Sequence, residues 1–202
     1  MASKAPKRKF ITDLDDPEYL IGLGQFIAQF AQVESVLNQA VWHFSKLGKD
    51  PQIARAIFGP LRVDAATNHL NRLIEARHLR GRNIEELKLI LNHLGQIARM
   101  RNDIVHLGAD GYGRLTVTNR PYVHARNRIR TAVVNAKILK QMEDDLLDMF
   151  TSLSIISGEA TDRSMRKWQG FLSKETWRYK PRVQVLRPRK RRLKLQGRQH
   201  LR

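Results

Sequence analysis

Midway along the chain, Arg101, Asn102 and His106 fall within one short run, Arg101-Asn102-x3-His106. An arginine is charged at every physiological pH and presents a planar fork that fits phosphate. An imidazole titrates near neutrality and can take a proton or give one. Asn102 and His106 are four residues apart, so on a helix they are neighbours on one flank. The three groups together could bind an anionic diester and move protons about it. A metal is not needed for that, and no metal site is expected. Glu75 and His78 have a Glu-x-x-His spacing, but the second such pair that a di-metal bundle requires is missing. Cysteine is absent, which removes thiolate ligands, cysteine nucleophiles and disulfides together. No cofactor is expected.

The run closes a helical pattern from Ile84 to about His106, opened by Asn83, with Leu87, Ile90, Leu91, Leu94, Ile97 and Ala98 on one stripe. Arg101 falls on that stripe, where the period calls for an apolar residue. A charge there needs a partner. Glu34, near the apolar stripe of the first helix, is either a boundary glutamate with its head in water or the partner that orients Arg101. His93 falls on the polar side and is expected in solvent.

Four more helices are expected. Asp15 or Asp16 caps the first, with Pro17 and Glu18 in its opening turn and Gly48 stopping it after about Leu47. Pro51 to Phe58 is a short helix before Gly59-Pro60, and Asp64 caps another through Leu70, Leu73 and Ile74 to about Leu79. Asn135 opens the last, with Ile138, Leu139, Met142, Leu146, Leu147, Met149, Phe150, Leu153 and Ile156 expected to turn inward. Its Glu143, Asp144, Asp145 and Asp148 make an acidic outer face, either solvated or docking a basic tail. Between the last two helices the period changes to two, which predicts a β-hairpin at about 113–130 turning at Asn119-Arg120-Pro121. One face of its second strand carries His124, Arg126, Arg128 and Arg130. That face is either a charged edge guarding against aggregation or a ribbon for nucleic-acid phosphates.

The architecture expected is mainly α: an antiparallel four-to-five-helix bundle over residues 16–158 with a small hairpin insertion. A basic arm, 1–15, precedes it. An aromatic and basic extension, 159–202, follows and is expected to be disordered from about 180. In that extension Trp168, Phe171, Trp177 and Tyr179 alternate with cations, a mixture that suits single-stranded nucleic acid or a segment folded back on the bundle.

Net charge is +18, and its placement is uneven. All nineteen Asp and Glu lie between Asp13 and Glu175, and from Arg178 onward there are eleven Lys and Arg without one acid. Polycationic ends on a nearly neutral bundle seek polyanions. Arg187, Arg189, Lys190, Arg191 and Arg192 are the densest run and are expected to bind nucleic-acid backbone without sequence choice. The tail has no apolar face to anchor it in lipid. No secretory leader or membrane span is expected, and a reducing cytoplasm fits the absence of cysteine.

Arg101-Asn102-x3-His106 at the end of a late bundle helix, behind a long amphipathic first helix, resembles the R-x4-6-H motif of the HEPN domain superfamily. The resemblance covers roughly Pro17 to Ser157. Proteins of that superfamily are helical bundles, usually dimers, and many are metal-independent endoribonucleases of toxin–antitoxin, anti-phage and stress systems. The resemblance implies RNA cleavage with Arg101, Asn102 and His106 as catalytic residues, a homodimer, and in toxin members a cognate antitoxin. RNA supplies its own nucleophile, the 2′-hydroxyl; the site must supply a base, an acid and a cation. One helix has a single His and a single Arg of this kind, so a two-fold dimer would complete the site. The alternative is a non-catalytic HEPN-like dimer that binds RNA or DNA through its basic ends. In that case Arg101 is a structural bridge and His106 a helix-terminal cation.

Overall fold

The structure is a computed structural model and describes residues 16–47, 50–107, 116–118, 129–158, 172–181 and 184–186. Five helices are described: α1 (Pro17–Ser45), α2 (Pro51–Phe58), α3 (Val63–Ala76), α4 (Arg82–Leu107) and α5 (Ala136–Ile156). Three short strands form one antiparallel sheet in the order β1 (Thr116–Thr118), β2 (Ile129–Val133), β3 (Gln184–Leu186).

The helix ends follow local chemistry. Asp16 caps α1, its carboxylate accepting from the Glu18 amide at 3.0 Å, with Pro17 in the first turn, where its missing N–H costs nothing. Asp50 and Asn135 cap α2 and α5 in the same way. Four boundaries differ from expectation, the first being the end of α3, which stops at Ala76 and not at about Leu79. α1 stops at Ser45, because Lys46 takes the left-handed conformation (φ 63°) ahead of Gly48. Asp64 lies in the first turn of α3 rather than capping it, and Asn83 lies inside α4.

The core is the meeting of these helices' apolar stripes. Phe26, Phe30, Val33, Leu37 and Val41 of α1 face Leu139, Met142, Leu146, Met149 and Leu153 of α5, with Leu70 of α3 and Leu87, Ile90, Leu94 and Ile97 of α4 completing it. α1 is the one described helix long and apolar enough to cross a bilayer, with a mean hydropathy of 1.2 over its best window. Its stripe is also the spine of this core.

The bundle is not uniformly antiparallel. A Cβ added to Gly22 would sit 3.7 Å from Leu139, and one on Gly158 would sit 3.5 Å from His43. Both ends of α1 therefore meet the like ends of α5, and the two run parallel. Helices joined by a short loop must reverse, but three other helices and two strands separate this pair, so direction is free.

Ala132 and Val134 are buried against the core, while Val133 between them is exposed. Thr118 pairs with Thr131, whereas a turn at 119–121 would have set it opposite Tyr122. Residues 119–128, and with them the expected turn, Arg126 and Arg128, lie outside the described residues. Residues from 187 onward lie outside the described residues, but within the stretch expected to be disordered Gln184–Leu186 forms a third strand on β2. β2 offers it a free hydrogen-bonding edge, and unpaired edges recruit strands.

Candidate active site

Arg101 is carried on the last turns of α4, held in place by Ile97, Met100 and Ile104, all buried around it on the same face. Its guanidinium carbon lies 5.5 Å from the centroid of the Phe30 ring on α1. Such a cation over an aromatic face is attracted by the ring's quadrupole, which explains how a charge rests on an apolar stripe. Nη1 donates to the Asn102 side-chain oxygen at 3.1 Å. Nε is buried and has no hydrogen-bond partner. Glu34 is not the expected bridge: among the described residues no ion pair joins it to Arg101. It lines a separate cleft instead. The ring of Phe30 has taken the place assigned to the carboxylate.

Asn102 is half-buried and His106, one turn on, is exposed. Between them on the surface stands Val105, 51% exposed, an apolar side chain in solvent beside a charged one. The end of α4 therefore carries an oriented guanidinium, an amide pinned against it and an accessible imidazole, while the unpartnered Nε of Arg101 lies buried. Among the described residues no group of three or more His, Asp or Glu is placed to hold a metal. Glu75 and His78 are both exposed, at the frayed end of α3 where His78 is left-handed (φ 50°).

No family model, curated protein or solved structure matches the chain.

Of the basic residues expected to meet nucleic acid, the backbone of Arg130 is placed in β2, opposite Val185 of β3. Arg126, Arg128, Arg187, Arg189, Lys190, Arg191 and Arg192 lie outside the described residues. Trp168 and Phe171 do too. Trp177 and Tyr179, read as candidates for base stacking, are 5% and 3% exposed and belong to the core.

A second polar cluster was not foreseen. His93 is buried, not solvated, and its Nε2 lies 2.9 Å from Oδ2 of Asp145. Asp145 is fully buried, although its neighbours on α5 form the acidic face as expected. The same carboxylate accepts from the backbone amides of Arg178 and Tyr179, each at 2.9 Å. The Arg178 guanidinium adds 3.4 Å and 2.6 Å contacts to Asp145 and Asp148. Trp177 stacks on His93, centroids 4.5 Å apart and planes 14° from parallel. The acidic face thus docks the extension, through Arg178. The hydrogen bond to Asp148 holds the Arg178 guanidinium above its ordinary value, and the Tyr179 phenol is pushed up to about 12, by burial first and then by the nearby Asp103 charge.

One signal in the sequence pointed here. Trp177 and Tyr179 flank Arg178 with period two, the pattern of an extended segment with one face down.

Proposed function

We propose that this chain is a metal-independent endoribonuclease of the HEPN type, acting at a site made by Arg101, Asn102 and His106 and completed by a second copy of the chain. The reading rests on one observation above all: Arg101 carries a charge that no carboxylate among the described residues pairs with, five residues before an exposed imidazole on the same helix. The Phe30 ring steadies the guanidinium without neutralising it, which leaves its charge for an anion.

In the proposed reaction the RNA 2′-oxygen attacks the adjacent phosphorus as a base removes its proton. The new O2′–P bond forms, the P–O5′ bond breaks, and an acid protonates the departing 5′-oxygen. The products are a 2′,3′-cyclic phosphate and a 5′-hydroxyl. Imidazole is suited to either proton transfer, and two copies of His106 across a dimer axis would divide them. Arg101 would neutralise charge gathering on the phosphorane oxygens. The basic ends would hold the RNA backbone, with the β1–β2 pair as a hairpin ribbon between them. A cytoplasmic toxin or defence role, with a cognate antitoxin, belongs to this reading.

The test is cleavage of RNA by the purified protein in EDTA, beside His106→Ala and Arg101→Ala of matched dimer content. Loss of general acid–base catalysis should slow cleavage roughly 10²–10⁴-fold in His106→Ala. Equal cleavage by all three proteins would overturn the assignment. Absence of cleavage by any of them, with RNA or DNA still bound through the tail, would establish the non-catalytic binding module. That second reading is favoured by one observation, the eleven cations without an acid from Arg178 onward.

A further inference from the structure

A cleft of about 610 Å³ opens between α1 and the connection from α2 to α3. Such a volume lies within the range of small-ligand sites. Its far wall is fixed by Asn38, whose side chain grips the backbone of Leu61 at both ends: Oδ1 accepts from the Leu61 amide at 2.8 Å, and Nδ2 donates to the Leu61 carbonyl at 3.0 Å. Glu34, Arg55 and Arg62 all line the cleft, and none of them forms an ion pair among the described residues. Two other lining residues keep unspent valences in the wall, Gln39 through Oε1 and Trp42 through Nε1, both buried and without partners. The Arg55 guanidinium lies 5.9 Å from the Trp42 ring centroid. One cleft therefore holds a half-buried carboxylate, two unpaired guanidiniums and an indole.

We propose that this cleft binds a guanine nucleotide, the base read by Glu34 and the phosphate held by Arg55 or Arg62. The choice of base follows from the carboxylate, which only accepts hydrogen bonds. Guanine alone among the RNA bases presents two adjacent N–H donors, at N1 and N2, to match two carboxylate oxygens. Adenine and cytosine set a ring acceptor beside their donor, and uracil flanks its one N–H with two carbonyls; each would turn a lone pair toward Glu34. Indole and guanidinium planes give the base something to stack on. The remaining positive charge suits one phosphate.

The proposal stands on different residues from the cleavage site, so either can fail alone. The nucleotide is either free or one residue of an RNA strand; both offer the same base edge. The experiment is calorimetric titration of the full chain with GMP, IMP and AMP, alongside a short single-stranded RNA with one central guanine and its inosine counterpart. IMP lacks only the N2 donors. The polycationic ends attract all three mononucleotides alike, so their contribution cancels in the ratios. GMP is expected to bind about tenfold more tightly than IMP or AMP, within the range of one bidentate base contact. Glu34→Gln, nearly isosteric and half-exposed, should abolish that preference, and Arg55→Ala/Arg62→Ala should weaken GMP binding with guanosine little affected. A guanine-over-inosine ratio larger in the RNA than in the mononucleotides would assign the cleft to RNA, and a ratio confined to GMP would assign it to the free nucleotide. Equal affinities for GMP, IMP and AMP, a preference that survives Glu34→Gln, or no heat with millimolar GMP would overturn the proposal.

Discussion

Asp145→Ala removes the carboxylate that fastens residues 177–179 to the bundle. Four donors converge on it: the His93 imidazole, the amides of Arg178 and Tyr179, and the Arg178 guanidinium. If the segment stayed docked, two buried backbone amides and an imidazole would be left without acceptors. Removing one side of such a buried charged network costs about 3–5 kcal/mol. The segment can escape by undocking, but it then exposes Leu172, Trp177 and Tyr179, all buried. At about 1.5–3 kcal/mol for each buried apolar side chain, that route is of similar size before the regained chain entropy is counted. The predicted loss is therefore about 3–5 kcal/mol, and partial release of the segment goes with it. Urea unfolding followed by far-ultraviolet circular dichroism reads the first, and trypsin cleavage after Lys174 or Arg178 under native conditions reads the second. Asp145→Asn should lose less, because its carbonyl oxygen can still serve one amide while its NH₂ faces the imidazole, which can turn acceptor. A loss below about 1 kcal/mol for Asp145→Ala, the size of an ordinary exposed hydrogen bond, would refute the reasoning. So would unchanged resistance to trypsin.

Tyr179 gives a pH signature. Its folded value of about 12 lies above the ordinary 10 of an unfolded chain. The native state therefore keeps a proton that the unfolded state has lost, and the contribution is complete below pH 10 and falls away between 10 and 12. Alkaline difference absorbance should show a late tyrosine component that Tyr179→Phe removes, and stability above pH 10 should decline less steeply in that variant. Burial also raises Tyr19, so a late component should remain. Asn38→Ala should cost about 1–3 kcal/mol, since it leaves a part-buried backbone N–H and C=O of Leu61 unpaired. Hydrogen exchange should then quicken at the Leu61 amide while α5 is unaffected.

What was legible in the sequence was whatever depends on period and on near neighbours. Leu87 to Ile97 repeat as one face of a helix, and Asp16 and Asn135 sit where a helix start needs a side-chain acceptor; the structure has them so. What was not legible depends on pairs far apart in sequence. His93 fell on the polar side of its helix and Asp145 among three other acids, so local grammar put both in water. Their burial comes from residues 172–181, which arrive from well beyond the bundle to cover them. Arg101 stands out as anomalous on its stripe, but an aromatic face attracts a cation as a carboxylate does, and by its spacing Phe30 on α1 reads as plain core. The strand at Gln184–Leu186 was hidden by charge: the run after it reads as a segment too cationic to fold, and three residues are enough to pair with β2 without altering that composition.

The parallel pairing of α1 with α5 also sets an order of events during synthesis. α1 is complete at Ser45, but the helix that covers much of its apolar stripe does not begin until Ala136. About 90 residues must be added in between, roughly 5–18 s at 5–20 residues per second. Through that interval the most apolar of the described helices has left the ribosome without its principal partner, and α3 can shield only part of it. The bundle closes late, on contacts of long sequence separation, which makes such folds slow. A newborn chain of this kind would be the natural client of a chaperone that holds exposed apolar helices, and truncation anywhere before α5 should yield protein that aggregates rather than a smaller bundle.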